Sequence, residues 1–509
     1  MRTVSPLLVT SVAALAAACS TTFTSQPCAV DGDCGDGRVC ALVDEAPACV
    51  AAEDAPIVIG QSAPFTGGNQ ALGVGMRQGI ALALAEASAA GGVRGRPIRL
   101  VFKDDGYDPL QAEANARALV DARPGPPTPA CPSTATPVSN GAVPPTLVPV
   151  STTGLVRGDD AVLALVGSVG TPTMVRAAPV AIETGTVYFG AFTGAASLLR
   201  DDSAGPCQRF VFNVRASYAQ EAHATVEYFL NRGLTDYRRL ISFDQNDTFG
   251  NAGYTGLVAA WLDERGAFPP TADPTTPIAR FRYARNDVDS VPAQAVAAEA
   301  YLATLLTATP TGTLRVGVML TSTYGPAATF IEHLRRWQFD GQDAPLGKAT
   351  RLELYFSTVS FVGPDALAAA LVDAGTVATP SGPMPFTQGV AVSQVVPNYQ
   401  SDLGDGVAAY QAAVAAAGEA PGFTSLEGYL ATRVFVAGLM HHQGPFTPTG
   451  LIDAFETLPD LGLGLGANAG FARDRHQYLQ SVWGTTIGAD GRFANLYYWT
   501  VGSPIQFFQ

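Results

Sequence analysis

The residues of this 509-residue sequence most open to chemistry are its seven cysteines, and their spacing divides them into groups. Cys28, Cys34, Cys40 and Cys49 share one short stretch with Asp31, Asp33, Asp36 and Gly37. So short a segment buries no core of its own, and two disulfides are the natural way to hold it. The competing chemistry is metal binding. A zinc knuckle, however, calls for a C-x-x-C pair, and the stretch has neither that nor a histidine. A calcium loop would need a terminal Glu that is missing here. Cys131 and Cys207 form the remaining pair. A bridge between them would tie the Pro/Ser/Thr-rich segment 123–153 to the body of the chain and contribute about 2–4 kcal/mol.

The side chains of catalysis form no such pattern. The sequence holds no G-x-S-x-G elbow, no H-E-x-x-H and no P-loop. His223, His333, His441, His442 and His476 are scattered, and His441-His442 suit the charge at a helix C-terminus better than a ligand set. Gly73, Gly75 and Gly79 miss the dinucleotide fingerprint by one residue and fall inside a helical pattern, where they read as helix packing. Neither an enzyme activity, nor a cofactor, nor a metal is expected. A net charge of −14 disfavours nucleic acid as a partner.

Small polar residues at strand ends offer binding rather than reaction. The run Val162–Val166 leads into Gly167-Ser168-Val169-Gly170-Thr171-Pro172-Thr173, and the run 186–189 ends in Gly190-Ala191-Phe192-Thr193-Gly194. Both turns carry hydroxyls and free amides where a helix N-terminus or a strand end would present them to an anion or a carbonyl.

The elements that must position these turns are legible from periodicity. Ile57-Val58-Ile59-Gly60 reads as a strand. Leu72, Met76, Ile80, Leu84 and Ala87 have helical spacing and stop at Gly91-Gly92, and Ile98–Phe102 reads as a second strand. Strand, helix and strand make a parallel unit whose loops lie at the carboxyl end of the sheet, where open α/β folds bind small ligands. Further helical patterns cover 110–120, 220–232 and 325–337, and strands are expected at 239–243, 316–320, 354–356, 390–397, 479–487 and 493–501. A long helix opens near Phe423, with Ser425 as its expected cap.

The stretches IVIGQSAPFTGG and GGVRGRPIRLVFKDDGYDP resemble the opening of type I periplasmic binding proteins, in the branch of the Leu/Ile/Val-binding proteins, and the likeness extends from Pro56 to about Phe493. It implies two Rossmann-like three-layer α/β lobes joined by three crossovers, here preceded by the small Cys-rich module. The first lobe would take 55–213 with 395–485, and the second 214–394 with 486–509. The strand 390–397 would return the chain to the first lobe. The resemblance assigns the cleft to Leu72, Gly170, Thr171, Phe192, Thr193, Gly194, Tyr218, Phe249, Tyr324 and Ser360. Phe249 replaces the usual tyrosine. Ser360 or Phe361 stands where the family's ammonium-binding carboxylate is expected, and none lies close in sequence, so a ligand without an obligatory α-ammonium is expected. Glu427 is either the missing anion or, the reading preferred, a residue of a helix's first turn.

Residues 1–18 read as a signal peptide. Leu15-Ala16-Ala17-Ala18-Cys19 is similar to a lipoprotein cleavage box with Cys19 lipidated, the alternative being an ordinary secretory signal with a chance cysteine. The expected protein is a monomer in the periplasm or cell envelope, touching the membrane through its anchor alone. Residues 19–54 would form its stalk, and Ser20 points to the outer membrane. It would capture a small amino-acid-like or carboxylate ligand for an ABC permease, or else signal to a membrane sensor without transport.

Overall fold

The computed structural model describes residues 27–43, 46–126, 154–195, 209–340, 347–402, 404–466 and 469–508. Cys19, Cys131 and Cys207 lie outside them, so the lipidation and the Cys131–Cys207 bridge are not addressed by the structure.

Two sheets organise the chain. The first is parallel throughout, with strands in the order Ile98–Asp104, Ile57–Ala63, Ala164–Val166, Val187–Phe189 and Val211–Phe212. Helix Gln70–Ala89 packs along helix Phe423–His441, and helix Pro109–Leu119 along helix Thr171–Glu183. Leu72, Met76, Ile80 and Leu84 are buried, the face the periodicity marked out. The nearby glycines are there for contact. A Cβ on Gly79 would meet Ser425 O at 2.0 Å and one on Gly428 would meet Met76 O at 2.6 Å, so the two helices approach backbone to backbone.

The second sheet has eight strands, in the order Ala279–Tyr283, Leu240–Gln245, Leu314–Thr321, Leu352–Thr358, Val390–Gln394, Ser481–Ile487, Phe493–Thr500 and Ser503–Phe507. The first five are parallel and the last three antiparallel. The strand expected at 390–397 is observed over Val390–Gln394, inside the segment 214–394 expected for the second lobe. It pairs with Leu352–Thr358 in the second lobe, and the chain crosses back only after it. Strand Ser481–Ile487 also belongs wholly to this sheet, so the expected lobe division at 485 falls inside a strand. An apolar run shows that a strand is buried, but not which sheet receives it.

The Cys-rich module is a hairpin, Arg38–Val43 against Ala46–Ala51, with disulfides Cys28–Cys40 and Cys34–Cys49. Its aspartates have structural work. Asp33 accepts from the amides of Ala29 and Val30, and Asp31 from that of Cys40. Asp31 also pairs with Arg94 of the first lobe at 2.7 Å, while Arg94 donates to Gly444 O. The module is therefore docked on the first lobe.

Candidate functional site

Most of the expected ligand-binding residues lie in the turns that follow strands or in the first turns of helices, while Leu72 lies within helix Gln70–Ala89. Gly170, at φ 104°, is the N-cap of helix Thr171–Glu183, and a Cβ there would strike the Tyr107 ring at 2.4 Å. Thr171 and Thr193, both fully buried, share a hydrogen bond of 2.6 Å between their hydroxyls. Tyr218 donates from its amide to Gly194 O at 2.7 Å and from its hydroxyl to Thr193 at 3.4 Å. Asn213 holds the Thr193 carbonyl. The two turns of the first lobe thus converge, as their parallel strands require.

The aromatic residues meet them from the other side. Phe361 is central, with its ring centroid 5.1 Å from Phe192, 4.7 Å from Phe249, 6.2 Å from Tyr107 and 6.4 Å from Tyr218. Tyr324 and Leu72 form a separate group. Both approach Gly363, and Leu72 lines a cavity of about 250 Å³ between the lobes, together with Gly75, Gly363, Asp365, Thr424 and Ser425. Ser360 is buried but does not stand alone, because its amide and hydroxyl both donate to Glu221, at 2.6 and 3.0 Å.

That contact supplies from afar a carboxylate that the neighbouring sequence lacks. No carboxylate lies near Ser360 in sequence, yet the fold brings Glu221 to it from 139 positions away. Ser393 also donates to Glu221, at 2.6 Å. Arg215 then lies between two acids. Its guanidinium is 3.1 Å from Glu221 and 3.4 Å from Glu427, donates to Ser360, and stands over the rings of Phe192 and Tyr218. Glu427 is therefore buried beside Arg215, just past the first turn of helix Phe423–His441. Ser425 is no cap. The N-cap of its helix is Gly422, and the Phe423 amide is held by Asp365 of the second lobe at 2.8 Å.

The electrostatics follow from burial. Desolvation pushes the Glu427 carboxyl up to about 7, with Arg215 opposing the rise and Glu221 adding to it. Glu221 is raised for the same first reason, against the pull of Arg215 and its serine donors. Burial alone would lower Arg215, but the two carboxylates outweigh it and hold it above its ordinary value. Asp105, beside the Tyr107 amide, is pushed up to about 7 by burial.

Sequence reading missed Tyr107, Arg215 and Glu221. For Arg215 a signal existed, a charged residue inside the apolar run Phe210–Tyr218, where a buried cation implies a buried partner. At the outer edge Asn69 donates to Asn286 at 2.7 Å and Asn286 to Gly106 O at 3.4 Å, so the lobes also touch there. No helix among the described residues is long and apolar enough to cross a membrane.

Comparison with known proteins accords with this geometry. The family model described as "Periplasmic binding protein" matches residues 56–126 and 152–492. A structure from Rhodopirellula baltica SH 1, described as a possible leucine/isoleucine/valine-binding protein, is 29% identical with a TM-score of 0.65, covering 88% of this chain and 98% of that one. A branched chain amino acid ABC transporter structure from Thermus thermophilus with bound valine shares the fold at 13% identity and a TM-score of 0.60, covering 88% of this chain and 97% of that one. The Leu/Ile/Val-binding protein homolog 2 of Brucella abortus (strain 2308) is 42% identical over 66 residues, 13% of this chain and only 18% of that relative's length. The chain belongs to the periplasmic binding protein family, which implies a place outside the cytoplasm, and is built on the two-lobed type I scaffold of its Leu/Ile/Val-binding neighbours.

Proposed function

We propose that this protein is a solute-binding protein that closes its two lobes on a small ligand with a polar head and an apolar body, and delivers it to an ABC-type importer. The observation that carries the reading is the convergence, in one buried place between the lobes, of polar turns from one sheet and an aromatic wall. Thr171, Thr193 and the backbone around Gly170 and Gly194 receive the polar head, while Phe192, Tyr218, Phe249 and Phe361 cover the body. Enclosure by both lobes is what makes such a site tight, since either half alone leaves the ligand half solvated. Tyr324, Leu72 and Ser360 line or support its edge.

Neighbours described as binding leucine, isoleucine or valine support an amino-acid-like ligand, and a fatty acid ABC transporter substrate-binding protein from Thermomonospora curvata supports a carboxylate on the same fold. Cys19 anchors the protein by lipidation, and the docked Cys-rich module connects that anchor to the first lobe. Mass spectrometry of ligand retained through native purification tests the reading, followed by calorimetry across amino acids and aliphatic carboxylates. Sub-micromolar binding of one class, with uptake lost on gene deletion, is the expected result. Tight binding with uptake unchanged would reassign the protein to ligand sensing at a membrane partner.

A further inference from the structure

Tyr107 reaches from the first lobe toward the second, and its placement is unusual on three counts. Its backbone lies at φ 62°, a left-handed conformation that a bulky residue rarely adopts and that only the surrounding structure sustains. Asp105, which accepts from the Tyr107 amide at 2.9 Å, and Asn286 of the other lobe, which donates to Gly106 O, hold that turn. The ring fills the space that Gly170 leaves by having no Cβ, and it stands 6.2 Å from the Phe361 ring. The hydroxyl is fully buried yet completes no hydrogen bond. Asp247, Tyr218 and Tyr283 lie within its electrostatic reach, and Gln245 is near enough to interact with it but not placed to complete a bond. Those groups are engaged with one another. Tyr283 donates to the Gln245 carbonyl at 3.1 Å, Gln245 donates to Asp247 at 2.6 Å, and Arg285 pairs with Asp247 at 3.2 Å. At the end of the adjacent strand, Ser322 is also fully buried with an unpartnered hydroxyl. A buried hydroxyl without a partner is costly, and the cost falls when an acceptor meets it.

We propose that Tyr107 is a specificity-determining residue whose hydroxyl donates to an uncharged acceptor group on the body of the ligand. This rests on the solute-binding reading and deepens it. The Tyr107 ring touches the turn at Gly170, where the proposed polar head is received, and its hydroxyl extends from there toward the second lobe. A ligand that meets both is short and carries two polar groups, a head and a carbonyl or similar acceptor further along. The surroundings favour neutral chemistry for the second group. Burial, with Asp247 adding to it, holds the Tyr107 ionisation far above its ordinary value, so the group stays an O–H donor. A second anion there would face Asp247, whose charge Arg285 already balances. An apolar branch in the same place would leave the Tyr107 hydroxyl without a partner, and sites built around a hydrogen bond reject isosteric hydrocarbons for that reason.

The test uses full-length protein and two isosteric pairs, L-asparagine against L-leucine and 4-oxopentanoate against 4-methylpentanoate. In each pair a carbonyl-bearing end replaces a branched hydrocarbon, and only the first pair carries an amine. Calorimetry should show the carbonyl-bearing member tighter by about tenfold or more in whichever pair wild type binds. Tyr107→Phe keeps the ring and removes the hydroxyl. It should cut that preference to about threefold or less while leaving the hydrocarbon member within about twofold of wild type. A purely structural role would shift both members of a pair alike and overturn the assignment. Preference retained by Tyr107→Phe, or tighter binding of the hydrocarbon members by wild type, would overturn it too. If no panel member binds, the ligand retained through native purification decides. An acceptor group on its body, with affinity lowered about fivefold or more in Tyr107→Phe, supports the inference. A body of hydrocarbon alone ends it and leaves the solute-binding reading standing. If nothing binds and nothing is retained, that reading falls and this inference with it.

Discussion

At the scale of single residues, Gly194 shows how little freedom its turn has. A Cβ there would lie 2.6 Å from Tyr218 Cδ1 and 2.8 Å from the Tyr218 amide nitrogen, which accepts no displacement without moving the helix that begins there. Gly194→Ala should cost about 1–3 kcal/mol in chemical denaturation, with weaker ligand binding as its companion. Glu427 makes a second, pH-dependent prediction. Its carboxyl is raised, chiefly by burial, so the stability it contributes is complete below the ordinary glutamate value and fades as pH rises through about 7. Glu221 and Asp105 are raised in the same direction and add to the trend. The difference between wild type and Glu427→Gln isolates it. The melting temperature of wild type should fall more steeply than that of the variant between pH 5 and pH 8.

At the scale of elements, helix Phe423–His441 receives no side-chain cap from its own N-cap residue, Gly422. Asp365, at the start of helix Pro364–Ala374 in the other lobe, accepts from the Phe423 amide at 2.8 Å and from the Tyr399 hydroxyl at 2.8 Å. The helix is thus capped by a residue of the other lobe, and the cap exists only while the lobes are together. Asp365→Ala should weaken the closed form by about 1–2 kcal/mol. Hydrogen exchange of the amides from Phe423 to Leu426 reads it directly. They should lose protection in ligand-saturated variant protein, and unchanged protection would refute capping in trans.

At the scale of the whole molecule, the lobes touch at their edge as well as at their centre. Asn286, at φ 60°, bonds both Asn69 and the Gly106 carbonyl of the first lobe. Asn286→Ala should open the unliganded protein, seen as a larger radius of gyration by small-angle scattering and as faster ligand release, with little change in global stability. A radius equal to wild type would mean that these bonds do not hold the lobes. The proposed anchor belongs to this scale too. Multiple acyl chains on Cys19 would bind a membrane firmly where one binds weakly, so Cys19→Ser should move the protein to the soluble periplasmic fraction. Identical fractionation of the two would remove the lipoprotein reading.

By itself the sequence determined whatever is local. Period-four burial of Leu72, Met76, Ile80 and Leu84, the βαβ opening, the glycine-threonine turns and the four cysteines of the module depend on neighbours along the chain, and pattern reveals them. Even there the pairing of Cys28 with Cys40 and Cys34 with Cys49 waited for the hairpin that sets their register. The tertiary structure alone decided which sheet took the strand Ser481–Ile487, which acid stood beside Ser360, and what capped the helix at Phe423. Each is a contact between residues far apart in sequence, fixed by the order of strands in two sheets and by crossovers that carry no period. The charge between the lobes, Arg215 between Glu221 and Glu427, exists only because all three segments were brought to one buried point, where low dielectric makes their imbalance matter.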